Sequence, residues 1–336
     1  MVSKPQIVFK DPAKGVKMEP APVSLKELDR VEVLTLIDNF VDVLLEDTEI
    51  VTRPPKAAGE EIPTDTLLAE HGLCLLVRVQ RDAEQHTILF DTGYNRMSVL
   101  HNMDKLAVDP NEMEAIVLSH AHMDHTGSLY PILEKISDPI PVVIHPHAFL
   151  YPRFVEEKDG TRRRFPRTLV REKLSQRNVT LLESKNPTPI LDETILVTGE
   201  VERTTTFEKG MPNALIERDG SLQRDPVSDD QALVMNLKDK GLVVISGCSH
   251  TGIVNTVQYA KKLTGVEKVH AVLGGFHLSG PFYEKILGQT IDQLKALSPA
   301  VVVPMHCTGR KAMDQFAREF PSSFELNSVG SKITLT

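Results

Sequence analysis

Aromatic residues and cysteine are scarce in this chain. Among its 336 residues there is no tryptophan, five are tyrosine and three are cysteine. Three scattered cysteines are too few for a disulfide framework, which favours a reducing, cytoplasmic environment. The chain also lacks a stripe of aromatic side chains of the kind on which single-stranded nucleic acids stack.

Long apolar runs and an excess of positive charge are absent as well. No stretch approaches the about 18 consecutive apolar residues of a membrane span, and residues 1–17 carry no apolar segment typical of a signal peptide. The net charge of −8 opposes general capture of nucleic acid. We therefore expect a cytoplasmic protein that acts on a small molecule, without a membrane or nucleic-acid partner. Homo-oligomerisation is left open.

Short apolar runs alternate with segments of helical spacing. Strands are predicted at 31–37, 73–79, 87–90, 115–118, 142–144, 242–245, 269–273 and 301–303, the last of which closes the series. Helical spacing covers 97–106, 129–136, 253–263 and 286–294. This alternation predicts a layered α/β fold.

Two segments differ from this pattern. Residues 1–30 are rich in lysine and proline and indicate an extended N-terminal arm, which leaves 31–336 as a single domain. Within that domain, 149–180 holds nine basic residues against four acidic ones. We predict a basic helical insertion there, which is either a solvated flap or a lid that meets an anionic substrate.

Polar residues of ligand type follow six of the apolar runs. The side chains that come at or just after the ends of these runs are Asp91, His120, His145, His250, His277 and His306. In layered α/β folds, functional sites gather at strand ends, because loops there hold side chains over a rigid sheet. The pattern therefore predicts one common site.

The densest motif is H-x-H-x-D-H, formed by His120, His122, Asp124 and His125. Imidazole and carboxylate groups suit transition metals rather than calcium, which prefers oxygen ligands. Four ligands exceed what one open catalytic ion needs from one loop. We therefore predict one or two divalent ions, zinc with iron or manganese as alternatives, with His120 and His122 on one ion and Asp124 and His125 on the other.

Asp91 is predicted to support a ligand rather than to be one. A carboxylate in that place accepts a hydrogen bond from a ligand histidine and fixes its tautomer. The isolated histidines His71, His86, His101 and His270 are assigned no role.

These motifs resemble those of the metallo-β-lactamase fold superfamily. The matching residues are Phe90-Asp91-Thr92-Gly93, the segment 120–127 and the late His306, so that the resemblance covers about 31–310. It implies a four-layer αββα sandwich with a dinuclear metal site at one edge.

Five further motifs make the chain most similar to one branch of that superfamily. They lie at 199–203, 229–233, 246–253, 274–278 and 306–309. The branch is named after 7,8-dihydropterin-6-methyl-4-(β-D-ribofuranosyl)aminobenzene 5′-phosphate synthase.

The chain departs from the commoner hydrolase pattern of the superfamily in two places. Many members carry Gly-His-Thr where this chain has Gly199-Glu200-Val201, and Gly-Asp, with a bridging Asp, where it has Gly247-Cys248. The resemblance then implies His250 as the third histidine of the first metal site and His306 as a further ligand. Cys248 is an additional candidate ligand, and its thiolate would favour zinc.

The leading functional hypothesis is hydrolysis, in which metal-bound hydroxide attacks a phosphoester, lactone or other ester-type bond of a small anionic substrate. Asp124 would ligate metal and orient the nucleophile, and His277 would donate a hydrogen bond to the leaving group or to a substrate phosphate. The candidate substrate contacts are His147, Arg153, Arg203, Asp230 and Thr308.

Two alternatives stay open. The branch name implies a transferase that joins a dihydropterin pyrophosphate to an aminobenzene ribosyl phosphate with release of pyrophosphate. The other is a catalytically silent, metal-containing binding module.

Overall fold

The computed structural model describes residues 22–56, 61–63 and 65–336. Most of the predicted N-terminal arm, residues 1–21, lies outside the described residues. In chain order the strands are β1 (Glu27–Leu28), β2 (Arg30–Ile37), β3 (Val51–Thr52), β4 (Cys74–Arg81), β5 (Glu84–Phe90), β6 (Ala115–Val117), β7 (Ile140–Ile144), β8 (Arg153–Glu156), β9 (Arg162–Arg164), β10 (Val179–Glu183), β11 (Thr188–Ile190), β12 (Ile195–Val197), β13 (Ala214–Arg218), β14 (Ser221–Arg224), β15 (Ala232–Leu237), β16 (Gly241–Ser246), β17 (Val269–Gly275), β18 (Val301–Met305) and β19 (Lys332–Leu335). The α-helices are α1 (Arg96–Lys105), α2 (Met123–Thr126), α3 (Leu129–Leu133), α4 (Arg171–Ser175), α5 (Ile253–Thr264), α6 (Leu287–Leu297) and α7 (Arg310–Glu319).

The first large sheet has eight strands in the order β10-β7-β6-β5-β4-β2-β19-β3. Strands β5, β6, β7 and β10 run parallel to one another, and the register pairs Phe90 with Val117 and Val117 with Val143. Because parallel strands share a direction, the residues that follow β5, β6 and β7 emerge at the same edge.

The second large sheet has seven strands. Its order is β11-β12-β15-β16-β17-β18, with β1 paired to β15. Strands β16, β17 and β18 are parallel, and the register pairs Ser246 with Gly274 and Gly275 with Met305. The loops after these three strands therefore also lie side by side.

An apolar layer fills the space between the two large sheets. It includes fully buried residues such as Phe90, Val117, Ile245 and Leu273. Helices α1 and α3 pack on the outer face of the eight-stranded sheet, and α5, α6 and α7 pack on the outer face of the other. This arrangement is the αββα sandwich that the sequence predicted, and the fold class is confirmed.

The basic segment 149–180 differs from the predicted helical insertion. It contains β8, β9 and only one short helix, α4. Strands β8 and β9 join the hairpin β13–β14 in a small four-stranded sheet. The pairing of β8 with β13 connects residues about sixty positions apart, and a strand such as β9, with its three arginines exposed, has no apolar periodicity to reveal it.

The C-terminal segment contains two elements that the sequence did not predict. The structure continues after β18 with α7 and with β19, which inserts between β2 and β3. On α1 the inward face is formed by Val99, Asn102 and Met103, whereas Met97 of the predicted apolar stripe is exposed. Within the ranges that the structure describes, no helix has the length and apolarity to cross a membrane.

Candidate metal centre

The predicted ligand residues come together where the two large sheets present the ends of their parallel strands. His120, His122 and Asp124 follow β6, whereas Cys248 and His250 follow β16. All five side chains are buried. The site thus joins loops from both sheets, as the positions of these residues after apolar runs predicted.

Three histidine nitrogens form a first cluster: His120 Nε2, His122 Nδ1 and His250 Nε2. The nitrogens of His120 and His122 are 3.0 Å apart, and His250 Nε2 lies 3.1 Å from each of them. Nitrogens bound to one zinc ion at 2.0–2.1 Å with tetrahedral angles would be about 3.3 Å apart. The size of this triangle therefore fits three ligands of one ion.

The tautomer of His120 is fixed from behind. The backbone N–H and the hydroxyl of Ser119 both donate to Asp91, at 2.7 Å each. The Ser119 hydroxyl has then given its only proton, so it accepts from His120 Nδ1, which lies 2.9 Å away. The proton of neutral His120 is thus held on Nδ1, and its Nε2 presents a lone pair to the cluster.

A second cluster consists of Asp124, His125, Cys248 and His306, whose ligand atoms all lie within 4.8 Å of one another. His125 Nε2 is 3.1 Å from Cys248 Sγ, and His306 Nε2 is 3.3 Å from Asp124 Oδ2. Cys248 also groups with His120 and His250 within the same limit, so its sulfur lies between the two clusters. Cys248 stands at the sequence position where, by the resemblance described above, many members of the metallo-β-lactamase fold superfamily carry a bridging aspartate.

Hydrogen bonds also orient the second cluster. The backbone N–H of Gly72 donates to Asn39 Oδ1 at 3.2 Å, which identifies that atom as an acceptor. His306 Nδ1, 2.9 Å away, must therefore donate to it. The Nε2 atom of His306 then faces the carboxylate of Asp124 at 3.3 Å, where either a proton on Nε2 or a bound cation would join the two groups.

Burial and nearby charge set the protonation states of these groups. Burial lowers the pKa of His120, His122 and His250, in the case of His122 to about 4. For His125 burial acts in the same direction, but the carboxylates of Asp91 and Asp124 outweigh it and raise the pKa to about 9. The first cluster is therefore unprotonated at neutral pH, whereas His125 holds a proton that a metal ion must displace.

Several residues at the site have backbone conformations in the left-handed region. The φ angles are 61° at Asp91, 56° at Ser249, 44° at His277 and 49° at His306. Such conformations cost free energy in residues other than glycine and concentrate at functional sites. Here each follows a strand and turns a side chain or loop toward the centre.

Asp91 lies behind the ligands. Its Oδ2 accepts from His125 Nδ1 at 2.6 Å in addition to the Ser119 hydroxyl. The ring of His277 packs against that of His250, with centroids 4.4 Å apart. The structure thus brings both residues to the candidate metal centre.

Two of the predicted substrate contacts have other partners. The guanidinium of Arg153 is buried and bonds Asp229 at 2.6 and 3.1 Å, and Asp229 in turn accepts from the backbone N–H of Ala121. The buried hydroxyl of Thr308 accepts from Phe276 N and donates to the carbonyl of Met305. These hydrogen bonds hold the ligand loops in place. Arg153 also lines a recess beside His122, and a substrate contact of Arg153 or Thr308 stays a prediction.

The other predicted contacts lie around the centre. His147 Nε2 is 2.7 Å from Lys185 Nζ, beside His145 and Glu200. Asp230 is buried and accepts from Thr251 N, and burial raises its pKa to about 6. Arg203 is exposed near Asp230 and donates to the carbonyl of Pro226.

Sequence reasoning missed two residues that contact the loops of the predicted ligands. His71, which was assigned no role, lies 3.5 Å from Asp124 Oδ2 and accepts from Asn39. Asp38 accepts from the backbone N–H of His306 at 2.7 Å. Neither carries a local motif, so only their position after β2 and before β4 gave a signal.

Comparison with known proteins agrees with this geometry. The sequence profile of the metallo-beta-lactamase superfamily matches residues 68–261. A protein of Methanocaldococcus jannaschii named 7,8-dihydropterin-6-methyl-4-(beta-D-ribofuranosyl)-aminobenzene-5'-phosphate synthase is 35% identical over 294 residues, which span 86% of this chain and 97% of that protein. An uncharacterized protein of the same organism is 32% identical and covers 74% of this chain and 88% of its own length.

A solved structure is similar as well. It is described as a metal-dependent hydrolase of the beta-lactamase superfamily and superposes with a TM-score of 0.68 at 25% sequence identity. The match covers 91% of this chain and 98% of that one.

Proposed function

The chain belongs to the metallo-beta-lactamase superfamily, and from this premise we propose that it is a metal-dependent hydrolase of a small anionic substrate. The single observation that carries the proposal is the pair of adjacent ligand clusters at one edge of the sandwich. Each cluster joins loops from both large sheets. The donor atoms lie 3.0–3.1 Å apart in the first cluster and within 4.8 Å of one another in the second.

The residues of each cluster suit a particular kind of ion. His120, His122 and His250 would hold one ion, and Asp124, His125, His306 and Cys248 would hold the second. A set of imidazoles with one carboxylate and one thiolate favours zinc, and iron or manganese would accept the imidazoles and carboxylate. Ions bound there would supply Lewis acidity and lower the pKa of a coordinated water toward neutrality.

The residues of the chain itself would position the substrate and move protons. Asp124 is buried and its pKa is lowered, because the neighbouring imidazoles of His125 and His306 outweigh the effect of burial. It therefore stays a carboxylate throughout the physiological range and can orient a nucleophilic water. His277 lies beside His250 and would donate a hydrogen bond to the leaving group.

The basic segment gives the site its preference for an anion. A shallow recess borders the ligand His122 and is lined by Tyr151, Phe165 and Arg167. Phe165 stacks on His122, with ring centroids 4.8 Å apart, and the guanidinium of Arg167 lies over Tyr151. A substrate that approaches His122 would therefore meet positive charge and aromatic surface.

The test uses a generic phosphodiester, a lactone and a thioester with zinc-loaded protein. We expect His122→Ala and Asp124→Asn to lower turnover more than about 100-fold, beyond the 10- to 100-fold effect typical of residues that only support a ligand. Bound zinc should fall in parallel.

His101→Ala is the matched control for this test. His101 is a histidine outside both clusters that bonds the carbonyl of Thr66, and its replacement should preserve both turnover and zinc. Unchanged turnover in His122→Ala and Asp124→Asn would contradict the assignment of the site.

A second candidate function is supported by the 35% identity to the Methanocaldococcus jannaschii synthase. In this case the enzyme would be a transferase, and the ions would bind pyrophosphate. Inertness toward all three hydrolytic substrates, with release of pyrophosphate only when a dihydropterin pyrophosphate and an aminobenzene ribosyl phosphate are both present, would favour it. Inertness in every assay together with tight ligand binding would favour a binding module.

A further inference from the structure

Two of the motifs identified in the sequence meet in the structure, and the proposed reaction leaves Cys307 of the second motif unused. They are Gly274-Gly275-Phe276-His277-Leu278 and His306-Cys307-Thr308-Gly309. The structure brings Cys307 and His277 together with Cys248, and one ligand atom of each lies within 4.8 Å of the others. The three residues follow the neighbouring parallel strands β16, β17 and β18.

The backbone around these residues is built for close approach. A Cβ atom on Gly275 would lie 2.8 Å from Cys307 Sγ and 2.3 Å from the carbonyl oxygen of Gly247. The Thr308 hydroxyl accepts from Phe276 N and so ties the loop of Cys307 to that of His277. Both loops are therefore fixed relative to each other without any bound group.

One nitrogen of this group has no hydrogen-bond partner, and the two sulfurs have only weak ones. The Nδ1 atom of His277 is buried and makes no hydrogen bond. Both cysteines are free thiols and buried, and Cys307 Sγ contacts the carbonyl of Cys248 at 3.6 Å. A buried imidazole nitrogen without a partner is costly. The other observation is the cluster itself, in which one nitrogen of His277 lies within 4.8 Å of both sulfurs.

From this geometry we propose that Cys248, His277 and Cys307 form a third, sulfur-rich metal site that binds a thiophilic ion, Zn²⁺ or Cu⁺. Two thiolates and one imidazole are ligands that such ions prefer over carboxylates. The inference extends the proposed centre, because the sulfur of Cys248 would be shared with the second cluster.

The ring of Tyr283 covers the sulfur-rich site. It packs edge-on against His277, with centroids 4.5 Å apart. Burial, with the nearby thiols, raises the pKa of the Tyr283 hydroxyl, so it stays neutral. A neutral aromatic cover of this kind would limit access of water to the thiolates.

The test measures metal rather than activity. Metal-free protein is reconstituted with zinc, and the bound equivalents are counted by mass spectrometry of the metal. We expect Cys307→Ser and His277→Ala each to bind one equivalent less than the wild type. With Co²⁺ in place of zinc, the sulfur-to-cobalt charge-transfer absorption of the wild type should fall by at least a third in Cys307→Ser.

Cys74→Ala is the matched control. Cys74 is the remaining cysteine and is buried in β4, outside every cluster of ligand atoms found in the described residues. Its replacement removes one thiol but should leave the zinc count and the cobalt absorption at wild-type values.

A measurement on the unmodified protein covers the case in which the variants do not fold. Zinc-edge X-ray absorption should detect about one sulfur neighbour per zinc at about 2.3 Å. Two results together would overturn the third site: about half a sulfur neighbour per zinc, and unchanged zinc binding in folded Cys307→Ser and His277→Ala. Cys248 would then be a ligand of the second cluster alone.

A rival explanation is that Cys248 and Cys307 form a redox pair. Hydrogen peroxide would then oxidise both thiols to a disulfide, with loss of two hydrogen atoms and formation of two water molecules. We expect zinc to block this reaction, and a disulfide that forms equally fast with and without zinc would refute the proposal. None of these measurements depends on hydrolysis, so failure of the hydrolase proposal would be recognised separately.

Discussion

At the residue scale, Asp91 orients both clusters through one carboxylate. Its Oδ2 accepts from His125 Nδ1 and from the Ser119 hydroxyl, which in turn accepts from His120. One buried acid thereby fixes the tautomers of two predicted ligands, one in each cluster. Residues that support metal ligands in this way typically contribute 10- to 100-fold to affinity.

Asp91→Asn should therefore weaken zinc binding without removing a ligand. We expect the affinity of the second cluster to fall about 10- to 100-fold, because an amide cannot stabilise the proton on His125 Nδ1 as a carboxylate does. Competition titration with a chelating dye measures this. Asp109→Asn, a change of an exposed acid that caps a short turn, is the control, and equal affinities in the two variants would contradict the role of Asp91.

The two clusters should also respond differently to pH. The carboxylates of Asp91 and Asp124 raise the pKa of His125 to about 9 despite its burial, so in the metal-free protein this ion pair stabilises the fold below pH 6.5 and its contribution is lost as the pH rises through 9. A metal ion must displace that proton. Binding of Cys248 as a thiolate releases a second proton, because burial raises the pKa of its thiol. We therefore expect affinity at the second cluster to rise by at least about tenfold per pH unit between pH 6.5 and 9.

The first cluster should lack this dependence. Burial lowers the pKa of His122 to about 4 and also lowers those of His120 and His250, so above about pH 6 no proton must leave. Calorimetric zinc titrations in two buffers of different ionisation enthalpy report the number of protons released. The same pH slope for both equivalents would argue against these protonation states.

At the scale of elements, the site depends on how closely the end of β16 approaches the loop after β6. Gly247 follows β16, and a Cβ atom there would lie 2.1 Å from the Ser119 hydroxyl oxygen and 3.0 Å from Asp91 Oδ2. The absence of a side chain at this position lets the two sheets bring their loops into contact. Any larger residue must push apart the groups that orient His120.

Gly247→Ala should accordingly cost stability and metal affinity together. Overpacking of a rigid interior typically costs about 1–3 kcal/mol. We expect the free energy of unfolding, measured by urea denaturation, to fall by an amount in this range, and zinc binding to weaken. Gly288→Ala is the matched control, because nothing lies within 4 Å of a Cβ there and the residue is in α6. That change should be neutral or stabilise the protein by up to about 1 kcal/mol. Similar effects of both changes would show that the contact at Gly247 is unimportant.

At the scale of the whole molecule, the ligand clusters connect the two large sheets. His120 and His125 come from the loop after β6 of the eight-stranded sheet, whereas His250 and His306 follow β16 and β18 of the other. Bound ions would thus act as links across the apolar layer. A ligand that binds only the folded state stabilises it in proportion to its saturation.

Removal of metal should therefore lower the thermal stability of the protein. At a free zinc concentration 100 times the dissociation constant, the stabilisation is about 2.7 kcal/mol per site, which corresponds to several degrees in Tm for a protein of this size. Thermal unfolding with a chelator and after re-addition of zinc measures the shift. His120→Ala should show a smaller shift than the wild type, and a chelator-insensitive wild type would contradict the link.

Much of the fold was predictable because it is encoded locally. The apolar runs around Val77, Val117 and Val244 are buried strands in the structure, and the stripe from Ile253 to Leu263 is the buried face of α5. Period and composition determine such elements through side-chain burial over a few residues. The motif at 120–125 was also predictable from the sequence, because its candidate ligands are close neighbours in the chain.

Tertiary structure alone decided which distant groups meet. Three contacts depend on strand register between residues far apart in the chain. They are the position of the Cys248 sulfur between the clusters, the bond of Asn39 Oδ1 with His306 and the ion pair of Arg153 with Asp229. The small sheet that replaced the expected helical insertion depends on the same kind of pairing. A sequence pattern specifies the face that an element buries, but the partner across that face follows from packing the whole chain at once.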